Sequence, residues 1–420
     1  MARKSTLIPM LVIGTLFFIF GFVTWLNGSL IPFLKVICTL NEFEALFVTF
    51  AFYIAYTVMA LPMAFVLEKT GYKKGMALGL FVMAVGALLF IPAAKAAAFG
   101  IFLTALFTLG TGLTILQTAS NPYIVLVGPI ESAAMRISIM GLINKGAGVL
   151  APIVFTALIF TDMQIGTDLS GMDRVALAGQ LVKPYIVMAV MLTVLALFVL
   201  FSSLPEIEFV EDIYDDENIF GFPRVVLGAV ALFFYVGIEV ISGDTIGLYA
   251  QSIGMQNVTA LTSYTMAFMV LGYLIGVLFI PKYLSQEKAL TYSALSGIIL
   301  LFGVVFSSTT DITISSYLWG WSGIMLLPNS LVFVALLGLA NALVWPTIWP
   351  LALEDLGKHT AKGSALLIMS IAGGALLPLA FGRIAQTLGN MQEAYLFGIL
   401  CYFIILIYAL KWHKMKGWRV

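Results

Sequence analysis

Residues 222–250, FPRVVLGAVALFFYVGIEVISGDTIGLYA, decide the fold of this chain. The run is apolar for longer than the roughly 20 residues that cross the hydrocarbon of a bilayer, yet it holds Glu239 and Asp244. Residues 137–161 repeat the pattern with one buried cation, Lys145. Centring such a charge in a membrane costs roughly 2.5–3.5 kcal/mol on insertion scales. A chain that retains it pairs the charges with each other, exposes them to water, or uses them on a solute.

The rest of the sequence has the same character. Of 420 residues, 61% are hydrophobic and only 10% are charged, against about 25% charged in soluble domains. Twelve spans follow, at roughly 7–34, 43–67, 75–95, 97–127, 137–161, 184–204, 222–250, 259–281, 288–307, 329–353, 362–386 and 391–411. The fold class is an all-α membrane protein. The first apolar run continues past Pro32, too long for the core of a signal peptide, so it reads as span 1. Net charge is zero, and nothing points to nucleic acid. Cys38 and Cys401 lie near opposite ends, and His359 and His413 have no metal-ligand company, so no disulfide framework, metal or cofactor is expected. No span sets His or Cys beside a carboxylate, which argues against an enzyme, and no Gly-rich phosphate loop supports an ATP-driven pump.

Two longer connectors interrupt the spans, at 162–183 and 205–221. The second carries Glu206, Glu208, Glu211, Asp212, Asp215, Asp216 and Glu217 and reads as a solvated linker. It divides the chain into a six-helix bundle over 1–204 and another over 222–420. With the N-terminus inside, fifteen Lys and Arg fall on the inner side, while Lys35, Lys95, Arg174, Lys183 and Arg383 fall outside. That bias places both termini in the cytoplasm. The halves echo one another. Gly110 precedes Pro122 by the same interval as Gly338 precedes Pro350, and residues 27–31 echo 242–246. Such parallel repeats describe two bundles related by a pseudo-two-fold axis along the membrane normal. This arrangement resembles that of major facilitator transporters, and the resemblance implies that spans 1, 4, 7 and 10 line a cavity and spans 5 and 11 flank it.

The polar islands fall on those helices: Gln117 to Pro122 on span 4, Asn144-Lys145 on span 5, Glu239 and Ser242 to Asp244 on span 7, and Asn341 to Pro350 on span 10. Their chemistry suits a sugar, which presents hydroxyls and an apolar C–H face. Gln117, Asn121 and Asn144 both donate and accept, and Trp345 and Trp349 offer flat apolar bodies with one polar handle. Bonding to a neighbouring helix is the plain alternative for the amides, and packing for the tryptophans. Glu239 lies roughly 22 Å from the inner end of its helix at about 1.5 Å per residue, and Lys145 is its most plausible counter-ion. Asp244 lies further outward, where solvation in the outer vestibule is the alternative. It faces away from Glu239 unless the helix unwinds at Gly243. Gly71 to Gly75, with Lys73 and Lys74, resembles in degraded form the short basic loop of major facilitators, which implies a gate that latches the halves on the inside; a plain basic anchor is the alternative.

These motifs resemble the fucose permease branch of the major facilitator superfamily, especially its glucose/galactose transporter group. The resemblance covers most of the chain. It is carried by FFIFGFVTWLNGSLIP (17–32), LQTASNP (116–122), YVGIE (235–239), WPTI (345–348), LALEDLGKHT (351–360) and Gly373-Gly374. It implies the major facilitator fold and a monomeric hexose carrier of the bacterial inner membrane, with sugar and lipid as partners. Glucose or galactose is favoured; N-acetylglucosamine, mannose or fucose are alternatives. Gln117, Asn121, Asn144, Lys145, Trp345, Trp349 and Asn27 would bind substrate, and Glu239 and Asp244 would handle the coupling cation. The departures are informative. The fucose permease pattern has an aspartate where this chain has Gly28, a glutamate where it has Gln117, and a glutamine where it has Glu239. Its proton route therefore does not carry over. Sodium symport, proton symport and uncoupled diffusion all remain open.

Overall fold

The computed structural model describes residues 7–126, 133–159, 173–202, 204, 219–280, 283–354, 356 and 359–418, and no strand occurs among them. Among the described residues, twelve helices are long and apolar enough to cross a membrane: Pro9–Ile37, Glu42–Ala60, Lys69–Ala96, Phe99–Asn121, Arg136–Ile159, Arg174–Phe201, Pro223–Asp244, Val258–Phe279, Gln286–Phe306, Asn329–Leu353, Lys362–Leu388 and Met391–Lys414. They are numbered spans 1 to 12. An even number of crossings leaves both ends of the chain on one side of the bundle, called proximal below; the other side is distal.

The expected spans recur with local shifts. Span 6 starts earlier because the Asp173 side chain accepts from the Val175 amide and caps a short helix, Arg174–Gly179, ahead of Val182–Phe201. Pro184 sits in the first turn of that second helix, where a proline costs no hydrogen bond. Spans 2 and 3 turn on a single residue, Gly71, at φ 75° and ψ 169°, a conformation that only glycine adopts without strain. The expected latch between halves is not what Lys73 makes. Its ammonium donates to the Ser202 carbonyl at 2.6 Å and ties span 6 to its own half. Of the acidic linker, residues 205–218 lie outside the described residues, and Ile219–Gly221 forms one 3-10 turn leading into Pro223 at the start of span 7.

The internal repeat has a packing counterpart. A Cβ on Gly110 would stand 2.3 Å from the Phe52 carbonyl, so span 4 touches the backbone of span 2 there. A Cβ on Gly338 would stand 2.1 Å from the Thr265 carbonyl, so span 10 touches span 8 in the equivalent way. Each matched glycine marks a backbone-to-backbone approach, the means by which membrane helices associate where lipid supplies no hydrophobic drive.

The two halves meet at the distal end. Ser29 donates to the Thr259 carbonyl, the Thr156 and Thr259 hydroxyls are 2.8 Å apart, and Ser263 donates to the Val149 carbonyl at 2.7 Å. At the proximal end, Arg224 pairs with Glu354 at 3.0 Å and Lys414 with Glu287 at 2.6 Å, each pair within the second half. Burial follows the same gradient. Residues 25–34 of span 1 and 235–250 from span 7 onward are buried on every side, whereas Phe17, Phe18, Phe22, Thr24, Phe233 and Phe234 are half-buried. The distal end is closed.

Candidate functional site

Lys145 on span 5 reaches Glu239 on span 7 with an N–O distance of 2.6 Å. Both residues are buried, at 9% and 7% exposure. The ammonium also lies 4.7 Å from the centroid of the Trp25 ring on span 1, within cation–π range. Two halves and three helices therefore converge on one ion pair. Its function is one of geometry more than net stability: desolvating two ions offsets much of their attraction, while removing one partner costs about 3–5 kcal/mol.

Beside the pair, a hydrogen-bonded chain fixes span 7 against spans 10 and 12. Ser242 donates to the Glu239 carbonyl at 2.9 Å, Asn341 donates to Ser242 at 3.0 Å, and Tyr402 donates to the Asn341 carbonyl oxygen at 2.8 Å. Asn341 is wholly buried with both ends of its amide engaged, so it braces helices. Just past it, span 10 breaks at Leu343, between Asn329–Ala342 and Val344–Leu353. Pro346 cannot donate there, and the Thr347 hydroxyl bonds the Leu343 carbonyl at 2.6 Å. Beyond this break Trp345 and Trp349 stack, centroids 5.2 Å apart and planes 28° apart, both half-buried. Tyr235 sits 6.3 Å from Trp345.

Gln117, Asn121 and Asn144 are also half-buried. Gln117 donates to the Tyr56 hydroxyl at 3.0 Å, which leaves its carbonyl oxygen as acceptor. Asn144 donates to the Phe17 carbonyl at 3.3 Å, so the neighbour-helix alternative holds for part of its amide. These three amides and the two indoles are all partly exposed, whereas Asn27 is not. It is 2% exposed and lies in the closed distal section, its amide nitrogen unpartnered.

The structure bears on two expectations about Asp244. Solvation in a vestibule does not apply: the residue is 0% exposed and neither carboxyl oxygen has a hydrogen-bond partner. The helix of span 7 also ends at Asp244, and a new helix, Ile246–Ser252, begins after Thr245. Thr245 between them keeps helical dihedrals, φ −92° and ψ −7°, and its amide still donates to the Ile241 carbonyl at 3.2 Å, so the helix bends at Thr245 without unwinding at Gly243. Gly28 lies opposite: a Cβ there would stand 2.0 Å from the Thr262 hydroxyl and 3.1 Å from the Gly243 carbonyl. An acid at position 28 has no room in this closed arrangement, while an acid at 244 sits one residue from the contact.

Sequence reasoning missed Trp25, Tyr56 and Thr262 as members of this constellation. Trp25 stands within the 17–32 motif, but no spacing rule links an indole on span 1 to a lysine on span 5.

Twelve spans in two related halves, closed over each other at one end around a buried ion pair, define a membrane carrier. The sequence profile of the Major Facilitator Superfamily matches residues 13–362, and the chain belongs to that superfamily. It is similar to a glucose/galactose transporter of Brucella abortus, 34% identical over 403 residues, which is 94% of this chain and 92% of that protein. It is also similar to the L-fucose-proton symporter of Escherichia coli, 25% identical over 97% of this chain and 93% of the other. Among solved structures, the superfamily transporter FucP in an outward conformation superposes with a TM-score of 0.71 at 25% identity, covering 98% of this chain and 100% of that one. The xylose transporter XylE of E. coli in an inward-open conformation gives a TM-score of 0.69 at 14% identity, covering 97% and 96%.

Proposed function

We propose that this chain is a secondary carrier that imports a hexose, glucose or galactose first, by alternating access, and performs no chemistry on it. The observation that carries the reading is the half-buried set of Gln117, Asn121, Asn144, Trp345 and Trp349 together with a buried ion pair at a closed end. Near full-length likeness to the Brucella glucose/galactose transporter supports the substrate class. The amides hold hydroxyls from the first half, and the stacked indoles lie against the ring from the second. N-acetylglucosamine, mannose and fucose fit the same groups and are separated by competition.

The excess of Lys and Arg assigns the proximal side to the cytoplasm of a bacterial inner membrane, so the arrangement described is closed to the outside. The carrier works as a monomer in lipid. Glu239 and Asp244 are the two candidates for a coupling cation, sodium or proton. Glu239 is already neutralised by Lys145 here, which also suits an uncoupled facilitator. The test is counterflow in reconstituted vesicles loaded with unlabelled D-galactose, with labelled D-galactose outside and a series of competing sugars. A transient overshoot that D-glucose abolishes supports the reading. Slow leak with no overshoot for any hexose defeats it.

A further inference from the structure

Between Lys288 and Glu354 the chain carries one charge, Asp311. It falls in the distal connector of spans 9 and 10, FSSTTDITISSYLWGWSGIMLLPNS (306–330), a segment rich in aromatic and aliphatic side chains. The neck of this connector is closed. The Asn329 backbone amide donates to the Asp311 carbonyl at 2.7 Å, and that of Ser330 to the Ser308 carbonyl at 3.2 Å. The Asp311 carboxyl is spent on the neck as well, accepting from the Thr313 hydroxyl at 2.6 Å and the Asn329 side-chain amide at 2.8 Å. Beyond the neck stands a flap built of a short helix, Thr313–Trp319, and a 3-10 turn, Gly320–Ser322.

The flap lies on the outer face of span 8. Trp319 packs against Tyr264 and Phe268, with ring centroids 5.7 and 6.3 Å apart, and the Tyr264 hydroxyl donates to the Met325 carbonyl at 2.8 Å. Tyr264, Phe268, Leu271, Ile275 and Leu278 fall within about 40° of one line along span 8, at roughly 100° per residue. The last three are exposed on a helix that crosses the membrane, so that line meets acyl chains. The first two, nearer the distal end, lie under the flap. Phe268 comes about ten residues after Val258, so the contact reaches roughly 15 Å down span 8 at about 1.5 Å per residue. Irregular backbone next to lipid needs its polar groups engaged, and the flap engages its own. Ser315 donates to the Leu327 carbonyl at 2.7 Å and accepts from the Leu327 amide at 3.1 Å. Ser322 does the same for the Trp319 carbonyl at 2.6 Å and the Ile324 amide at 3.2 Å. On the outer side Tyr317 and Trp321 are 87% and 86% exposed, with Leu318 and Ile324 exposed beside them. Tyrosine and tryptophan are side chains of the membrane–water interface, where an apolar ring and one polar handle suit both media.

We propose that residues 312–325 are a lipid-docking flap that lies in the distal leaflet, with the Tyr317 and Trp321 rings at the level of the phospholipid ester carbonyls. The partner is phospholipid, because the flap covers and continues the lipid-facing line of span 8 and presents no charge on its outer side. Phe302 and Phe306, exposed and stacked 6.1 Å apart at the distal end of span 9, lead into it. The flap grips Tyr264, and the adjacent Ser263 donates to the Val149 carbonyl of the first half at 2.7 Å. The distal leaflet thereby holds the helix through which the second half closes on the first. The inference rests on insertion in a membrane and is independent of the sugar.

The experiment places the full-length carrier in lipid nanodiscs and reads Trp321 emission as the difference between the unsubstituted carrier and Trp321→Phe. Phospholipid brominated near the carbonyl end of its acyl chains quenches that difference severalfold, phospholipid brominated near the chain ends quenches it less, and iodide in the water barely does. Emission quenched by iodide and untouched by brominated lipid means a flap standing in water, and overturns the proposal. Emission that neither quencher reaches means that protein covers the ring, a second copy included, and overturns it equally. Should Trp321→Phe not fold, Tyr317→Trp adds an indole to an otherwise unaltered carrier, and the added emission is read with the same quenchers and the same outcomes. Galactose movement enters neither reading, so failure of the sugar assignment leaves this result standing.

Discussion

Replacing Lys145 with alanine puts the ion pair to a quantitative test. The substitution leaves the Glu239 carboxylate, 7% exposed, facing the space vacated by an ammonium that stood 2.6 Å away. Orphaning one member of a buried pair costs about 3–5 kcal/mol, and this cost falls on the distal-closed state, because Lys145 and Glu239 lie on opposite halves and separate when that end opens. At about 1.4 kcal/mol per factor of ten, the closed-to-open ratio drops by roughly two to three and a half powers of ten. Glu239→Gln is milder. The amide oxygen still accepts from Lys145, and the ammonium keeps its place over Trp25, an interaction of about 0.5–2 kcal/mol. Lys145→Ala with Glu239→Ala is milder than Lys145→Ala alone, since no charge is left behind. Spin-label distances across the distal ends of spans 2 and 11, measured without sugar at fixed pH, give all four populations. A Lys145→Ala carrier that closes as readily as the parent, or a Glu239→Gln carrier that closes worse than Lys145→Ala, would refute the reasoning.

Gly28→Ala sets a methyl 2.0 Å from the Thr262 hydroxyl; it slows counterflow, and adding Thr262→Ala restores part of the rate. A clash elsewhere would show no such rescue. Gln117→Ala removes one hydroxyl contact worth about 0.5–1.5 kcal/mol, so KM for D-galactose rises about two- to tenfold with little change in maximal rate, and Trp349→Ala acts in the same direction; unchanged KM in both variants removes these residues from the site. In the loop after span 9, the Thr313 hydroxyl, the Thr313 backbone and the Asn329 amide hold the Asp311 carboxyl below the ordinary carboxylate range. A depressed carboxylate contributes order that is complete above its unfolded value, about 4, and lost as pH falls through the folded one. Protection of the Thr313 and Ile314 amides in hydrogen exchange therefore falls with acid and falls at neutral pH in Asp311→Asn; unaltered protection in that variant contradicts the assignment.

The spans were legible because bilayer thickness fixes the length of an apolar run, and the repeat was legible at Gly110 and Gly338 because close helix approach admits almost no other residue there. The pairing of Lys145 with Glu239 followed from cost: two opposite charges inside lipid-soluble helices have few other partners. What the chain did not disclose is lateral. Trp25 beneath Lys145, Tyr56 beside Gln117 and Thr262 against Gly28 are contacts between helices whose rotation depends on packing, and a one-dimensional pattern carries no such angle. The burial of Asp244 is hidden for the same reason. Counting residues along span 7 placed it near the outer water, but spans 1, 2 and 8 close over that depth. The early start of span 6 was hidden because a capping aspartate outside the apolar run, Asp173, begins the helix.

The most direct test of the account is uptake of labelled D-galactose by the purified carrier in sealed vesicles, under an inward proton gradient, an inward sodium gradient and no gradient. The account predicts galactose entry well above that of protein-free vesicles under all three conditions, abolished by excess unlabelled D-glucose, and the gradient that raises it above the equilibrium level identifies the coupling cation. Galactose entry no faster than in protein-free vesicles under every condition, or entry that excess D-glucose leaves unchanged, would contradict it.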